Sequence, residues 1–273
     1  MASIPLLKLA DGQTIPQIGL GLWQVKDSAQ FDQVFTAAIS AGYRHFDSAQ
    51  VYRNEAMLGE AWQRLNLKRT DLFITTKIAL DQFGHSRTKK SFGESLKKLQ
   101  TDYVDLLLLH FPVPVLRKAS WQALEEIQAA GGAHHIGVSN YTIKHLESMK
   151  KYAHVMPAVN QVELHIFLQQ PELVDYCQAN GIALEAYSPL AHGKNMDDGV
   201  VTKMAQKYHK SYAQIMLRWC LERGLIVLPK SVTPSRIQEN IDIFDFKLTA
   251  EDMQELALRN QDLRTCWSPV HVP

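Results

Sequence analysis

The fold class predicted by the sequence is a single closed (β/α)8 barrel, an α/β TIM barrel with an N-terminal β-hairpin plugging its bottom. Two observations predict it. Eight short apolar runs read as buried parallel strands, and helix-patterned segments lie between them at a spacing of about 30 residues. A third observation is negative: no linker or shift in composition interrupts the 273 residues, so one barrel domain over residues 1–273 is expected rather than two separate sheets.

The elements follow in order. LLKLADGQTIPQIG reads as a hairpin around Asp11-Gly12, a turn pair that accepts positive φ. The strand candidates are then IGLGLW (18–23), HFDSA (45–49), LFITTKI (72–78), VDLLLLH (104–110), HIGVSN (135–140), AVNQVEL (158–164), IALEAYS (182–188) and LIVLPKS (225–231). Between them, Asn54 is placed to cap a helix carrying Met57, Leu58, Ala61, Trp62 and Leu65, and Ser91 to Leu99 puts Phe92, Leu96 and Leu99 on one face. Ser211 and Gln214 form a capping box ahead of Ile215, Met216, Trp219 and Cys220. Thr233-Pro234 supplies a cap and then a first-turn proline, and Thr249 to Asp252 opens a last helix.

Composition narrows the function. The chain is 46% hydrophobic and 21% charged, enough to bury a large core, and its formal net charge is only +1. No basic block exceeds a pair such as Lys89-Lys90 or Lys97-Lys98, so neither nucleic acid nor an anionic membrane is expected as a partner. MASIPLLKLADGQTIP lacks the basic and apolar regions of a signal peptide, and no run approaches the ~20 apolar residues of a membrane span. A soluble cytoplasmic protein, and a monomer, is expected. Cys177, Cys220 and Cys266 are an odd count without metal spacing and read as reduced, structural residues; no metal is expected.

The chemistry is carried by four residues at strand ends: Asp47 in HFDSA, Tyr52 five positions later, Lys77 in LFITTK and His110 in VDLLLLH. A phenol has an ordinary pKa of about 10, so a tyrosine that donates a proton at neutral pH needs a nearby cation, and a buried cation needs a counter-charge. Lys77 and Asp47 fit those two roles, leaving His110 to hold a carbonyl oxygen with an N–H donor. Singly, each has an ordinary structural role open to it: helix cap, surface group, or strand-end histidine. A barrel brings strand ends together at one mouth, and so makes the four a site.

The stretches GYRHFDSAQVYRNEAMLGEA, LFITTK, DYVDLLLLHFP, IGVSN, NQVELH, AYSPLAHG and LPKSVTPSRIQEN, in this order, resemble the aldo-keto reductase family, within it the short microbial-type members similar to 2,5-diketo-D-gluconate reductase. The resemblance implies NADPH-dependent reduction of an aldehyde or ketone to an alcohol, with Tyr52 as general acid, Lys77 and Asp47 lowering its pKa, and His110 orienting the carbonyl. It implies NADP in an extended pose: Gly21, Leu22 and Asp47 at the nicotinamide ribose, Ser139, Asn140 and Gln161 on the carboxamide, Tyr187 stacked on the ring, and Ser188, Leu190 and Gly193 along the pyrophosphate. Lys230, Ser231, Val232, Thr233, Arg236, Glu239 and Asn240 would form the adenosine end. Independently, Lys230 and Arg236 converge on the helix start at Thr233-Pro234, where free N–H groups and the helix dipole favour an anion such as a 2′-phosphate.

Substrate would meet Trp23, Tyr52, Ala79, His110, Phe111 and Trp267. Phe111 and Ala79 stand where many relatives carry Trp, and the segments from Phe111 to Trp121 and after Asp262 are short, so an open site for small or medium carbonyl compounds is expected. Gly132 and His134 replace a basic pair before IGVSN, at the start of a strand and away from the mouth. Two other readings stay open at this point: a barrel enzyme of unrelated chemistry, and a non-catalytic cofactor-binding regulatory partner resembling the potassium-channel beta subunits.

Overall fold

The computed structural model describes residues 4–273. Strands β1 (Leu6–Lys8) and β2 (Thr14–Pro16) pair antiparallel, with Leu7 opposite Ile15. Gly12 takes φ +86 in the turn between them, a conformation that a Cβ would oppose. Strand and helix then alternate through β3 (Leu20–Gly21), α1 (Ser28–Ala41), β4 (His45–Asp47), α2 (Glu55–Arg64), β5 (Phe73–Ile78) and α3 (His85–Leu99). The alternation continues through β6 (Val104–Leu109), α4 (Arg117–Ala129), β7 (Ala133–Ser139), α5 (Ile143–Met149), β8 (Val159–Glu163), α6 (Pro171–Ala179) and β9 (Ala183–Tyr187). Two helices, α7 (Gly199–Tyr208) and α8 (Tyr212–Glu222), precede β10 (Ile226–Leu228), which is followed by α9 (Pro234–Ile241) and α10 (Ala250–Ala257).

β3 to β10 are all parallel and lie side by side in chain order. The sheet closes on itself, because Gly19 N–H donates to Val227 O at 2.9 Å, Val227 N–H to Gln17 O at 3.0 Å and Gly21 N–H to Pro229 O at 3.0 Å. The expected eight-stranded barrel is therefore present, with α7 and α10 added to its ring of helices. The capping box at Ser211–Gln214 forms as expected, and the helix opening at Thr249 does so with a capping box of its own, to Asp252.

Two local expectations are corrected. The first barrel strand is shorter than IGLGLW, reaching only Gly21 beyond a bridge from Ile18 to Val227. Asn54 explains why: it sits at the start of α2 without capping it, and its Nδ2 donates instead to Leu22 O at 2.8 Å and Val25 O at 3.0 Å. Val25 N–H also bonds Leu22 O at 3.1 Å, so residues 22–25 turn away from the sheet and Trp23 emerges 43% exposed.

Alternation along each strand separates two cores. Outward residues such as Phe46, Ile74, Leu107 and Val138 pack under the helices in the larger one. Inward apolar residues Phe73, Leu106, Leu108, Val159 and Ile226 close around Leu9 and Ile15 of the hairpin. The hairpin thus fills the bottom of the barrel with side chains, leaving chemistry to the other end.

α2 and α3 approach so closely that only glycine fits between them at position 59. A Cβ there would lie 2.3 Å from Lys98 O, and Trp62 Nε1 fixes the same turn by donating to Leu99 O at 3.0 Å. Overpacking of this kind costs about 1–3 kcal/mol. Gly59→Ala is expected to lower the unfolding free energy by that amount, read as a lower urea midpoint with an unchanged denaturant slope; an unchanged midpoint would show that the helices part freely.

Candidate active site

Period-two alternation decides which polar side chains enter the barrel. With Asp47 and Lys77 facing inward, so do His45 and Thr75, two residues earlier on β4 and β5; Ser139 on β7, Gln161 on β8 and Tyr187 on β9 line the cavity, so Glu163 and Glu185, each two residues from one of these, share the inward side. Asp47, Thr75, Lys77, Ser139, Gln161, Glu163 and Glu185 are buried. Apolar contacts at the bottom therefore give way to a polar layer toward the mouth.

At the centre of that layer, Lys77 Nζ has no solvent exposure. It donates to Asp47 Oδ1 at 2.6 Å, to Ser48 O at 2.9 Å and to Tyr52 OH at 3.4 Å, and stands 4.9 Å from the centroid of the Tyr52 ring. Tyr52 comes from the 3-10 turn Gln50–Tyr52, which follows β4 directly. The Tyr52 and His110 rings meet edge to face with centroids 5.8 Å apart, and the Nδ1 of His110 is buried without a hydrogen-bond partner. The four residues expected from the sequence are thus neighbours.

Burial is the largest influence on all three titrating groups. It drives His110 down to about 3, helped by the Lys77 charge, so the imidazole is neutral and keeps one N–H to donate. For Lys77, burial alone would favour the neutral amine, but the Asp47 charge and hydrogen bond and the nearby Tyr52 and Glu185 raise the ammonium above its ordinary value. The Tyr52 phenol is also raised: burial outweighs the lowering by Lys77, and Asp47 adds to the rise. Of the two groups expected to lower it, only Lys77 does so.

The four residues underlie a cavity of about 900 Å³, to which Asp47, Tyr52 and His110 contribute walls. Also lining it are Gly21, Trp23, Phe111, Ser139, Asn140, Gln161, Tyr187, Ser188, Leu190, Lys230 and Trp267, all anticipated. Tyr187 OH donates to Asn140 Oδ1 at 2.7 Å, and Asn140 Nδ2 donates to Ser139 Oγ at 3.0 Å and His110 O at 3.1 Å. These bonds join three strand ends into one wall. Phe111 and Trp267 pair edge to face at 6.5 Å, with Trp267 75% exposed.

Other expected residues lie elsewhere. Leu22 is buried in the outer core, and Gly193 stands outside the wall. Ala79 does not join the substrate wall; its N–H donates to Gln50 Oε1 at 2.8 Å, and it lines a neighbouring depression with Gln50, Arg53, Arg87 and Lys98. Ser231, Val232, Thr233 and Arg236 sit around the start of α9, and Glu239 and Asn240 in its last turn, all outside the wall that Lys230 enters. Thr233 occupies the cap position without a side-chain cap bond, and neither Lys230 nor Arg236 forms an ion pair among the described residues.

Several site residues escaped sequence reasoning. Glu163 and Glu185 could have been found by counting in twos from Gln161 and Tyr187. His192 and Cys266 gave no such signal, because both lie on loops: Cys266 Sγ is 3.3 Å from His192 Nε2 and 3.6 Å from Ser188 Oγ, at the mouth. Cys177 and Cys220 are buried as expected, but Cys266 is only half-buried and is not a core residue. Glu163 holds that loop in place, accepting from Thr265 N–H at 2.7 Å and hydroxyl at 2.5 Å and from Cys266 N–H at 3.1 Å.

Residues 17–258 match the family model described as Aldo/keto reductase family. The chain is similar to the glyoxal reductase of Bacillus subtilis (strain 168), 43% identical over 263 residues that cover 96% of this chain and 95% of that one. It is similar to methylglyoxal reductase DkgA of Escherichia coli O157:H7, 42% identical over 271 residues, 97% and 96% of the two chains. A crystal structure of a Bombyx mori aldo-keto reductase in complex with NADP superposes with a TM-score of 0.90 at 36% identity, covering 97% of this chain and 95% of that one.

The loop anchor makes an acid-stability prediction. Burial pushes the Glu163 carboxyl up, but hydrogen bonds from His165, Thr265 and Cys266 outweigh it and hold the group at about 2. A carboxyl depressed in the folded state stabilises it above the ordinary value near 4.5, a contribution lost as pH falls from there toward 2. Glu163→Gln is expected to lower stability at pH 6 and to lose less of it between pH 5 and pH 3 than the wild type does, measured by denaturation at each pH. Equal acid losses would show that Glu163 does not anchor the loop electrostatically.

Proposed function

The chain belongs to the aldo/keto reductase family, and from that premise we propose that it reduces small, reactive aldehydes and ketones to alcohols at the expense of NADPH, Tyr52 delivering the proton. The observation that carries the reading is the line Asp47–Lys77–Tyr52, its first two members buried and the third on the wall of one cavity beside a neutral His110. The Lys77–Asp47 pair is fully hydrogen-bonded and would otherwise be an expensive burial with no return in stability.

What this chain's residues do follows from their chemistry. His110, neutral and a donor, holds the carbonyl oxygen and so places it against the Tyr52 hydroxyl. The phenol, raised by burial, keeps its proton at neutral pH until the oxygen develops negative charge. Lys77, at 3.4 Å, then stabilises the phenolate left behind. Asp47 keeps Lys77 charged throughout. Phe111 and Trp267 form an apolar rim on one side of the cavity, and Trp23 one on the other, with its ring 5.5 Å from that of His192. Glyoxal and methylglyoxal, the compounds for which two relatives are named, are small enough for this cavity and make α-dicarbonyls the first substrates to try.

The residues present fit a nicotinamide dinucleotide. Ser139, Asn140 and Gln161 offer hydrogen-bonding groups on one wall, Tyr187 supplies a flat ring beside them, and Lys230 adds an unpaired cation to the same cavity. Farther out, α9 begins with free N–H groups beside Arg236, an arrangement suited to a phosphate. NADPH, when bound, supplies the hydride. A second, non-catalytic reading as a regulatory partner would leave Tyr52, Lys77 and His110 without a task.

Tyr52→Phe removes only the hydroxyl and is expected to lower turnover about 10²- to 10⁴-fold while NADPH still binds, as a lost general acid does. Turnover within threefold of wild type on methylglyoxal would assign the proton to another group. Arg236→Ala is expected to weaken NADPH binding strongly and NADH binding little, because an Arg–phosphate contact is charge-assisted and can be bidentate. Fluorescence titrations giving equal losses for both cofactors would remove Arg236 from phosphate recognition.

A further inference from the structure

Below the mouth the barrel holds a second acid that the reaction does not employ. Glu185 is completely buried, one step inward from Tyr187 on β9, and its Oε2 accepts from Gln161 Nε2 at 2.8 Å. The same nitrogen donates to Asp47 Oδ2 at 2.8 Å. One amide therefore bridges two carboxyl groups, and only one of these has a cation against it, Lys77 on Asp47.

The groups facing Glu185 come from three other strands. From β4, His45 Nε2 lies 3.7 Å from Oε1 but is hydrogen-bonded to Thr75 Oγ1 at 3.1 Å, and burial, helped by Lys77, holds its imidazole neutral at about 3. Asp47, on the same strand, adds a like charge. From β5 comes Lys77, already engaged by Asp47, and from β8 the uncharged Gln161. Among the described residues Glu185 Oε1 has no hydrogen-bond partner. Two carboxylates on one amide with a single cation are costly to ionise together.

The arrangement also fixes Gln161. Asp47, paired with Lys77 as a carboxylate, can only accept, so the amide nitrogen must face it, and Glu185 takes the second N–H. Among the described residues the amide oxygen accepts from no side chain or backbone group, and Gln161 lines the cavity. A ligand there finds an acceptor.

We propose that Glu185 is a positioning residue that orients Gln161 and, by releasing its own proton, sets the alkaline limit of the reduction. The proposal rests on Tyr52 being the acid. While Glu185 is protonated, the interior holds one negative charge, Asp47, against one positive, Lys77. Loss of the Glu185 proton to solvent adds a second negative charge that acts on Lys77, offsets the ammonium that would stabilise the phenolate, and so makes Tyr52 a poorer acid. Burial first, and then the Asp47 charge, push the Glu185 carboxyl up to about 8, which places this change within reach of ordinary assays.

Infrared titration of the cofactor-free protein reads the proton directly. A protonated-carboxyl band present at pH 7, lost with a midpoint near pH 8 and absent from Glu185→Gln, is expected; no such band in the wild type at pH 7 overturns the proposal, whether or not the variant folds. Turnover of methylglyoxal with saturating NADPH, from pH 6 to 10, is the second arm. Wild-type turnover should fall several-fold through a step near pH 8, and the Glu185→Gln profile, normalised to its own maximum, should lack that step. A step that survives in Glu185→Gln at the same pH, with Tyr52→Phe inactive, overturns the role of Glu185 alone. Full turnover in Tyr52→Phe overturns the acid assignment beneath it.

Discussion

A lysine ammonium without solvent exposure is the constraint around which the upper half of this barrel is arranged. Removing such an ion from water costs several kcal/mol even after the protein relaxes, so its acceptors must be supplied and held. Asp47 and Ser48 O supply them from the end of β4 and the turn after it. The register that sets Asp47 opposite Thr75 brings Asp47 beside the Lys77 side chain, two residues farther along β5. Slipping either strand by one residue would turn its inward set to the helix layer and leave the ammonium unpaired. The charge thus demands a rigid, closed sheet, and the sheet can be rigid because its lower half is an apolar plug of Leu9, Ile15, Leu106, Leu108 and Val159.

Much of this was legible in the sequence. Buried parallel strands read as continuous apolar runs, and the eight runs are the eight strands. The four central residues were legible because each is chemically out of place at the end of such a run. What could not be read was conformation outside the repeat. Asn54 has the side chain of a helix cap, yet two loop carbonyls from Leu22 and Val25 reach it first. Ala79, one residue past the end of β5 and part of the expected wall, is turned away, its N–H taken by Gln50.

The net position of the Tyr52 phenol was also beyond the sequence, since burial is a property of the assembled fold. A nearby cation was correctly inferred to act on it, but the desolvation that opposes the cation is larger. Glu163 and Glu185 illustrate the converse. Both sit at positions whose inward direction follows from simple alternation, and each looked like an ordinary strand residue until the partners across the barrel were in view. One anchors a loop and the other shares an amide; the difference lies entirely in what faces them.

The start of α9 shows how the fold is left incomplete. A side-chain cap is worth about 1 kcal/mol to a helix, and Thr233 stands at the right position with a suitable hydroxyl, yet makes no such bond. The N–H groups of the first turn are consequently left without a side-chain acceptor from Thr233. Anything that binds those N–H groups in the folded chain and not in the unfolded one adds its own binding free energy to the stability of the whole molecule. A ligand held there would raise the resistance of the folded chain to heat and proteolysis in step with its occupancy.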